Sequence, residues 1–177
     1  EKAFFDKEKD MVVYWGTRGQ KIIEQYEIDP FTAIEINEYG MVLYGKDLRG
    51  MIPYPTEKEI YEGVKNYYNA IRKYAQVTDK RITSSGWFFD IARCLYTLKT
   101  GKVIAKTAAA EWALSEGLVP NVHVIQRLIR VRKNPELYIS DEETLEWIGT
   151  LGPYVQEFAD VLERELNNCL TRLFNNH

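Results

Sequence analysis

Histidine and cysteine are scarce in this chain, with two of each among 177 residues. Two cysteines are too few for the disulfide framework of a small secreted protein, and two histidines without spaced partners are too few for a metal cage. Cys94 and Cys169 each lie within an apolar helical pattern, which predicts two buried thiols in a reducing, cytoplasmic compartment. We interpret His123 as a helix-surface residue and not as a ligand.

Long apolar runs and an excess of positive charge are also missing. The sequence has no run of about 18 apolar residues, so it predicts no transmembrane helix. A net charge of -3 does not supply the basic surface that non-specific nucleic-acid binding requires. We therefore expect neither a membrane nor a nucleic acid among the partners of this chain.

The short motifs of self-contained enzymes are absent as well. The sequence contains no G-x-x-x-x-G-K-[ST] phosphate loop, no G-x-G-x-x-G dinucleotide motif, no H-E-x-x-H zinc motif and no nucleophile elbow. We therefore predict no catalytic residue and no metal ligand within these 177 residues.

A boundary is predicted near residue 50. The chain is 45% hydrophobic and 28% charged, which is typical of a globular protein. Before residue 50, the runs MVVYWG and MVLYG have the β-branched and aromatic character of short strands. The segment RGMIPYP that follows carries the glycine and prolines of a connection. This pattern predicts a short α/β segment over residues 1–50 and a second domain over 51–177.

The second domain is predicted to be a bundle of about five helices. Thr56 and Glu59 form a capping box that opens the first helix, whose inward stripe is Ile60, Val64, Tyr67, Ile71 and Tyr74. Further helices are expected from about Ser84 to Lys99, over AKTAAAEWALSEG and over VHVIQRLIRVRK. Ser140 and Glu143 predict a second capping box, after which Gly152 and Pro153 should break or kink the last apolar stripe.

Two cations beside apolar helix faces are the candidate functional residues. Arg93 lies near the middle of a helix between Ile91 and Leu95, so its guanidinium must form an inter-helix salt bridge, reach solvent or bind a phosphate. Lys106 precedes the alanine-rich helix, where unpaired N–H groups and the helix dipole favour an anion. Spacing alone leaves a solvated lysine open at this position.

Other polar residues have simpler interpretations. Asp79 lies in the connection TDKR, where a carboxylate either caps the next helix or accepts an amine from a ligand. Four cations crowd the helix that contains VHVIQRLIRVRK, and they are interpreted mainly as solvated charges near a helix end: Arg127, Arg130, Arg132 and Lys133.

The segment RCLYTLKTGKVIAKTAAAEWA, residues 93–113, resembles a known family. An arginine, then T-G-K, then a lysine and A-A-[DE]-W-A recur at this spacing in the helical C-terminal domain of the streptomycin and spectinomycin adenylyltransferases. The similarity extends more weakly over about residues 41–174, and VLYGKDLRGMIPYPTEKEI resembles the family's entry into the helical domain. The resemblance implies that residues 1–50 are the end of a nucleotidyltransferase catalytic domain.

The resemblance implies a function for both cations. Arg93 and Lys106 would grip the triphosphate of ATP across the cleft between the two domains. Mg²⁺ would be held by carboxylates of the N-terminal catalytic domain on a G-S-x-x-D-x-D type motif that this chain lacks. The chain begins at Glu1 instead of a methionine, which agrees with a piece of a longer protein.

The resemblance also implies contacts with an acceptor. Asp79 aligns with an acid that the family uses to bind the aminoglycoside, and Tyr74 aligns with a tryptophan of the family. Thr83 replaces a second acid, and a tyrosine that the family uses near the phosphates has no clear counterpart, Lys133 and Tyr138 being nearest.

The predicted function is therefore the helical part of an enzyme that transfers AMP from ATP to a hydroxyl of an aminoglycoside-like acceptor. Two alternatives stay open from the sequence. One is a helical binding or regulatory module that has the same fold without catalysis. The other is a structural interaction bundle whose cations are all solvated.

Overall fold

The computed structural model describes the backbone of residues 12–16, 19–23, 28–47 and 49–175, and the side chains of residues 28–47 and 49–174. This part of the chain is mainly helical, as predicted. The antiparallel strands are β1 (Val12–Gly16) and β2 (Gly19–Ile23). The helices are α1 (Pro30–Tyr39), α2 (Glu57–Tyr74), α3 (Gly86–Thr100), α4 (Lys106–Ser115), α5 (Val122–Lys133), α6 (Pro135–Tyr138), α7 (Glu142–Ile148) and α8 (Gly152–Asn175), with 3-10 turns at Arg49–Met51 and Ile82–Ser85.

The beginning of the chain differs from its sequence pattern. The run MVVYWG contains β1, but MVLYG forms no strand, so that prediction was wrong. Leu43 and Tyr44 are about nine-tenths exposed there, and residues 41–45 have no partner strand among the described residues. A short apolar run becomes a strand only where a neighbouring strand pairs with its backbone. Residues 1–11 lie outside the described part, and the α/β remnant of a larger domain stays a prediction.

Helix α2 begins at the predicted capping box. The Glu59 carboxylate accepts from the Thr56 backbone N–H at 2.8 Å, while the Thr56 hydroxyl accepts from the Glu59 N–H at 3.3 Å. Ile60, Val64 and Ile71 are buried, as their spacing indicates. Tyr74 was wrongly assigned to this inward stripe, because its side chain at the last residue of α2 is 62% exposed.

The second predicted capping box, of Ser140 and Glu143, does not form, because the helix begins one residue later. Asp141, and not Ser140, is the N-cap of α7, and its carboxylate accepts from the Thr144 N–H at 3.0 Å. Gly152 and Pro153 then begin α8, so the apolar pattern is broken into two helices instead of kinked. Proline is tolerated in the first turn of a helix because its missing N–H has no partner there. This break and the short α6 raise the five helices expected in residues 51–177 to seven, and α1 brings the described residues to eight.

Helix α3 lies at the centre of the bundle and packs against α2, α4 and α8. Phe88, Phe89 and Leu95 are almost fully buried on it, and Phe88 faces Phe158 of α8 with ring centroids 6.4 Å apart. Cys94 and Cys169 are both free and buried, as predicted from their apolar neighbours. None of the described helices is both long and apolar enough to cross a membrane.

The T-G-K sequence forms the turn between α3 and α4. Gly101 is the C-cap of α3 with φ 69°, a left-handed conformation that favours glycine because it has no Cβ. The Thr100 hydroxyl donates to the Tyr96 carbonyl oxygen and accepts from the Lys102 N–H. The link to α4 is fixed by Tyr39 of α1, whose hydroxyl donates to the Val103 carbonyl oxygen at 2.9 Å. This turn directs the chain back along α3 and sets where Lys106 begins α4.

A buried hydroxyl in α3 provides a stability prediction. The Thr97 side chain is 1% exposed, and its Oγ1 has no hydrogen-bond partner among the described residues. Thr97→Val removes this unsatisfied oxygen at nearly constant shape, so we expect the free energy of unfolding to rise by about 1 kcal/mol. Urea unfolding followed by circular dichroism measures the change.

Thr78→Val is the matched control. The Thr78 hydroxyl is also buried, but it donates to the Ile148 carbonyl oxygen at 2.7 Å and accepts from the Leu151 N–H at 3.1 Å. Its removal deletes both of these hydrogen bonds and leaves the Ile148 carbonyl oxygen and the Leu151 N–H only with each other, at 3.2 Å, so this variant should lose about 1 to 3 kcal/mol. A loss of stability in Thr97→Val of the same size as in Thr78→Val would contradict the prediction.

Candidate functional site

The tertiary structure brings the two candidate cations, Arg93 and Lys106, into one cleft. Arg93 projects from the middle of α3, and Lys106 is the first residue of α4, which the Gly101 turn places beside it. Both side chains line a cavity of about 100 Å³. The other lining residues come from α1, α2 and α3 and are Phe31, Tyr67, Asp90 and Cys94.

Arg93 also borders a second, larger cavity of about 520 Å³. Its other walls are formed by α1 and by the link that leads into α4, through Glu35, Tyr39, Val103, Ile104 and Ala105. Because Arg93 lines both cavities, the two form neighbouring parts of a single cleft around this residue. We call this region, lined by α1, α2, α3 and the start of α4, the cation cleft.

Each cation in the cleft is paired with an acid. Arg93 Nη2 lies 3.0 Å from Glu35 Oε1 of α1, and its guanidinium carbon is 5.8 Å from the centroid of the Phe31 ring. Lys106 Nζ lies 2.6 Å from Asp90 Oδ1 of α3. The Arg93 and Lys106 side chains are only 18% and 32% exposed. Neither is therefore a freely solvated charge, and Arg93 forms the inter-helix salt bridge that its position made possible.

The start of α4 adds an uncapped helix terminus to the cleft. The N-cap residue Ala105 has no side-chain acceptor, so no capping oxygen satisfies the N–H groups of the first turn. The helix dipole also places partial positive charge at this end. Lys106 and the first turn therefore share one region of positive potential that Asp90 partly neutralises.

Burial in the cleft shifts the pKa values of two neutral side chains. Burial raises the pKa of Tyr67 to about 12, and the negative charges of Asp29 and Asp90 act in the same direction. Burial also raises the pKa of the Cys94 thiol, while Arg93 and Lys106 oppose the shift. Tyr67 therefore remains a neutral phenol at physiological pH, and Cys94 is an unreactive thiol.

The sequence did not identify three residues of this cleft, Tyr67, Asp90 and Glu35. Tyr67 matched the apolar stripe of α2, but its ring lies at the edge of the cleft with its centroid 5.0 Å from that of Phe31. Asp90 precedes Arg93 by one helical turn, a spacing that would have placed both side chains on one face of α3. Glu35 had no such signal, because it is far from Arg93 in the sequence.

Several cations of the basic helix α5 contact other side chains, although its composition suggested mainly solvated charges. The guanidinium of Arg127 stacks on Trp147 at 4.2 Å from the ring centroid, and Lys133 Nζ lies 2.6 Å from Glu111 Oε1. Arg132 covers the Phe89 ring at 4.9 Å and donates to the Thr107 hydroxyl at 3.2 Å. The guanidinium of Arg132 thus lies next to the first turn of α4, whereas Arg127 and Lys133 bind other parts of the bundle.

The two residues expected to contact an acceptor lie outside the cation cleft. Neither Tyr74 nor Asp79 borders either of its cavities. Tyr74 is exposed at the end of α2, with the Lys73 ammonium 5.0 Å from its ring centroid. Asp79 accepts hydrogen bonds from the Arg81 guanidinium and the Ser84 hydroxyl, which hold the pKa of its carboxyl below the usual range.

Metal-ligating side chains do not cluster in the part of the chain that the structure describes, where no group of three or more His, Cys, Asp or Glu residues could hold an ion. Asp90 and Glu35, the acids nearest the candidate cations, are each engaged in an ion pair. Among the described residues, the cation cleft therefore offers a ligand two cations that are each paired with an acid.

Comparison with known proteins gives one match. The family model described as "Aminoglycoside adenylyltransferase, C-terminal domain" matches residues 58–165, which include α2 through most of α8. The matched range contains Tyr74, Asp79, Arg93 and Lys106, and it excludes Glu35 and the rest of α1. No curated protein and no solved structure matches the chain.

Proposed function

Because this chain belongs to the family of aminoglycoside adenylyltransferase C-terminal domains, we propose that it forms the helical part of an adenylyltransferase. In this proposal AMP is transferred from ATP to a hydroxyl of an aminoglycoside-like acceptor. The single observation that carries the proposal is the placement of Arg93 and Lys106, two partly buried cations of different helices, in one cleft.

The role proposed for the two cations follows from the charge of the reaction. The acceptor oxygen forms a bond to the α-phosphorus, the bond between that phosphorus and the bridging oxygen breaks, and pyrophosphate leaves with the electron pair. Arg93 and Lys106 would bind the β- and γ-phosphates and stabilise the charge that accumulates there. A partly desolvated cleft strengthens these contacts because water screens them less.

The remaining machinery is assigned to an N-terminal catalytic domain. Its carboxylates would hold Mg²⁺, which polarises the phosphates when it is bound, and would accept the proton from the acceptor hydroxyl. We place this reaction in the cytoplasm, and the modification of an aminoglycoside there would confer resistance to the drug.

The acceptor is proposed to contact the end of α2 and the connection that follows it. Tyr74 presents an exposed ring on which an amine or a sugar ring can pack. Asp79 presents a carboxylate, but an amine of the acceptor must compete there with the Arg81 guanidinium. The acceptor would therefore approach the bundle at a surface separate from the cation cleft.

Titration of the chain with ATP tests the proposal. We expect the side-chain Nε–Hε resonance of Arg93 and the Cε–Hε resonances of Lys106 to shift on addition of ATP, first without and then with Mg²⁺. Lys99 is the internal control, because it is paired with Glu165 at 2.8 Å and lines neither cavity of the cleft. If the Arg93 and Lys106 resonances stay in place throughout the titration, both cations are structural and the nucleotide assignment is wrong.

A further inference from the structure

The cation cleft contains as many acids as cations. Asp90 is paired with Lys106, and Glu35 is paired with Arg93, so the four side chains have a formal net charge of zero. An arriving polyphosphate therefore encounters two carboxylates on the same groups that are proposed to bind it. The affinity of the cleft for an anion must depend on what happens to these acids.

Asp90 is the more deeply placed of the two acids. Its side chain is 20% exposed, against 45% for Glu35, and its carboxylate shares one face of α3 with Arg93. Asp90 borders the cavity of about 100 Å³ together with both cations. A phosphate that enters this cavity would lie within a few ångströms of the carboxylate, at a depth where solvent screens the repulsion only in part.

The ion pair engages the Lys106 ammonium, which is the group that would bind the anion. The Lys106 ammonium would donate to a phosphate, and Asp90 Oδ1 lies 2.6 Å from its nitrogen in an ion pair. Without a ligand the pair keeps the Lys106 ammonium in the cavity and compensates its charge. With a ligand, the phosphate must displace the carboxylate or share the ammonium with it.

We propose that Asp90 is an internal counter-ion that occupies Lys106 until a polyphosphate displaces it, and that it thereby lowers the affinity of the cation cleft for polyphosphate. This inference rests on the proposed function, because it concerns the same site. Glu35 has the corresponding position on Arg93, but its greater exposure gives it the weaker effect. Asp90 is a residue that tunes affinity through Lys106 and is not a catalytic residue.

The variant Asp90→Asn tests the inference, because it removes the charge and keeps the shape. Inorganic triphosphate is titrated into the full chain in a calorimeter without divalent metal. We expect Asp90→Asn to bind triphosphate about tenfold more tightly than the unmodified chain, the size that one partly screened repulsion predicts. Its affinity should also fall more steeply with added salt, because one more counter-ion is exchanged on binding.

Glu165→Gln is the matched control. Glu165 is paired with Lys99, and the two side chains are 22% and 35% exposed, close to the values for Asp90 and Lys106. It lies on α8 away from the cation cleft, so the loss of its charge should leave triphosphate affinity unchanged. Thermal unfolding of both variants checks that they are folded. If Asp90→Asn is unfolded, Asp90→Thr serves as a second neutral variant.

The outcomes separate this inference from the proposed function. If triphosphate binds the unmodified chain and Asp90→Asn binds it equally or more weakly, Asp90 does not compete with the anion and the inference is overturned. If neither form binds triphosphate, the phosphate assignment of the cleft fails with it.

Discussion

Lys106→Met should weaken the binding of ATP to this chain by about 10- to 100-fold, which corresponds to the 1.5 to 3 kcal/mol of a charge-assisted hydrogen bond. The substitution retains the apolar stem and removes the ammonium that points into the cleft. It also leaves the Asp90 carboxylate without its partner at 2.6 Å, so that repulsion from the phosphates adds to the lost attraction. Isothermal titration calorimetry with ATP measures the change.

Two further variants isolate the cause. Lys99→Met removes a lysine of similar exposure that is paired with Glu165 outside the cleft, and it should bind ATP as the unmodified chain does. The double variant Asp90→Asn with Lys106→Met contains no unpaired charge and shows whether the loss comes from the ammonium itself. If Lys106→Met binds ATP as tightly as the unmodified chain does, Lys106 does not bind the nucleotide.

Gly152→Ala should lower the free energy of unfolding by about 3 kcal/mol, in the upper range for overpacking a well-packed position. A Cβ at this first residue of α8 would overlap the carbonyl oxygen of Gln76 and lie 2.8 Å from its carbonyl carbon. Both obstacles are backbone atoms, so no side chain can rotate away. The connection after α2 would have to move, although the Thr78 hydroxyl fastens it to the backbone of Ile148 and Leu151.

Gly86→Ala is the control for this prediction. Gly86 is the first residue of α3 with φ -54°, and a Cβ built there meets no atom within 4 Å. Alanine fits this helical conformation, so we expect stability to be unchanged or higher by up to about 1 kcal/mol. Urea unfolding of both variants tests the contrast, and equal stabilities would show that the bundle accommodates a methyl group at Gly152 without cost.

Features that depend on neighbouring residues were predictable. The capping box of Thr56 and Glu59 and the glycine that ends α3 are local signals, since each hydrogen bond joins residues three or four positions apart. The family was likewise identified from one continuous segment, residues 93–113, and the family match over residues 58–165 confirms it. No long-range contact was needed for these conclusions.

Two kinds of feature were not predictable from the sequence: which of two adjacent residues caps a helix, and whether a strand-like segment finds a partner strand. Ser140 and Asp141 are both good N-caps, and their sequence does not show that Asp141 is the one that α7 uses. Residues 41–45 have a strand composition, but no strand pairs with them. Tyr74 fits the stripe of α2, but at the last residue of the helix its side chain is exposed, whereas the next residue, Ala75, is buried.

The sequence by itself determined that the chain is mainly helical, that it belongs to this family and that Arg93 and Lys106 are its notable cations. Only the tertiary structure decided what surrounds them. Glu35 reaches Arg93 across 58 positions of sequence, and the Gly101 turn brings Lys106 onto the Asp90 carboxylate. The charge of a cleft depends on distances of a few ångströms between side chains of different helices, and sequence separation does not fix those distances.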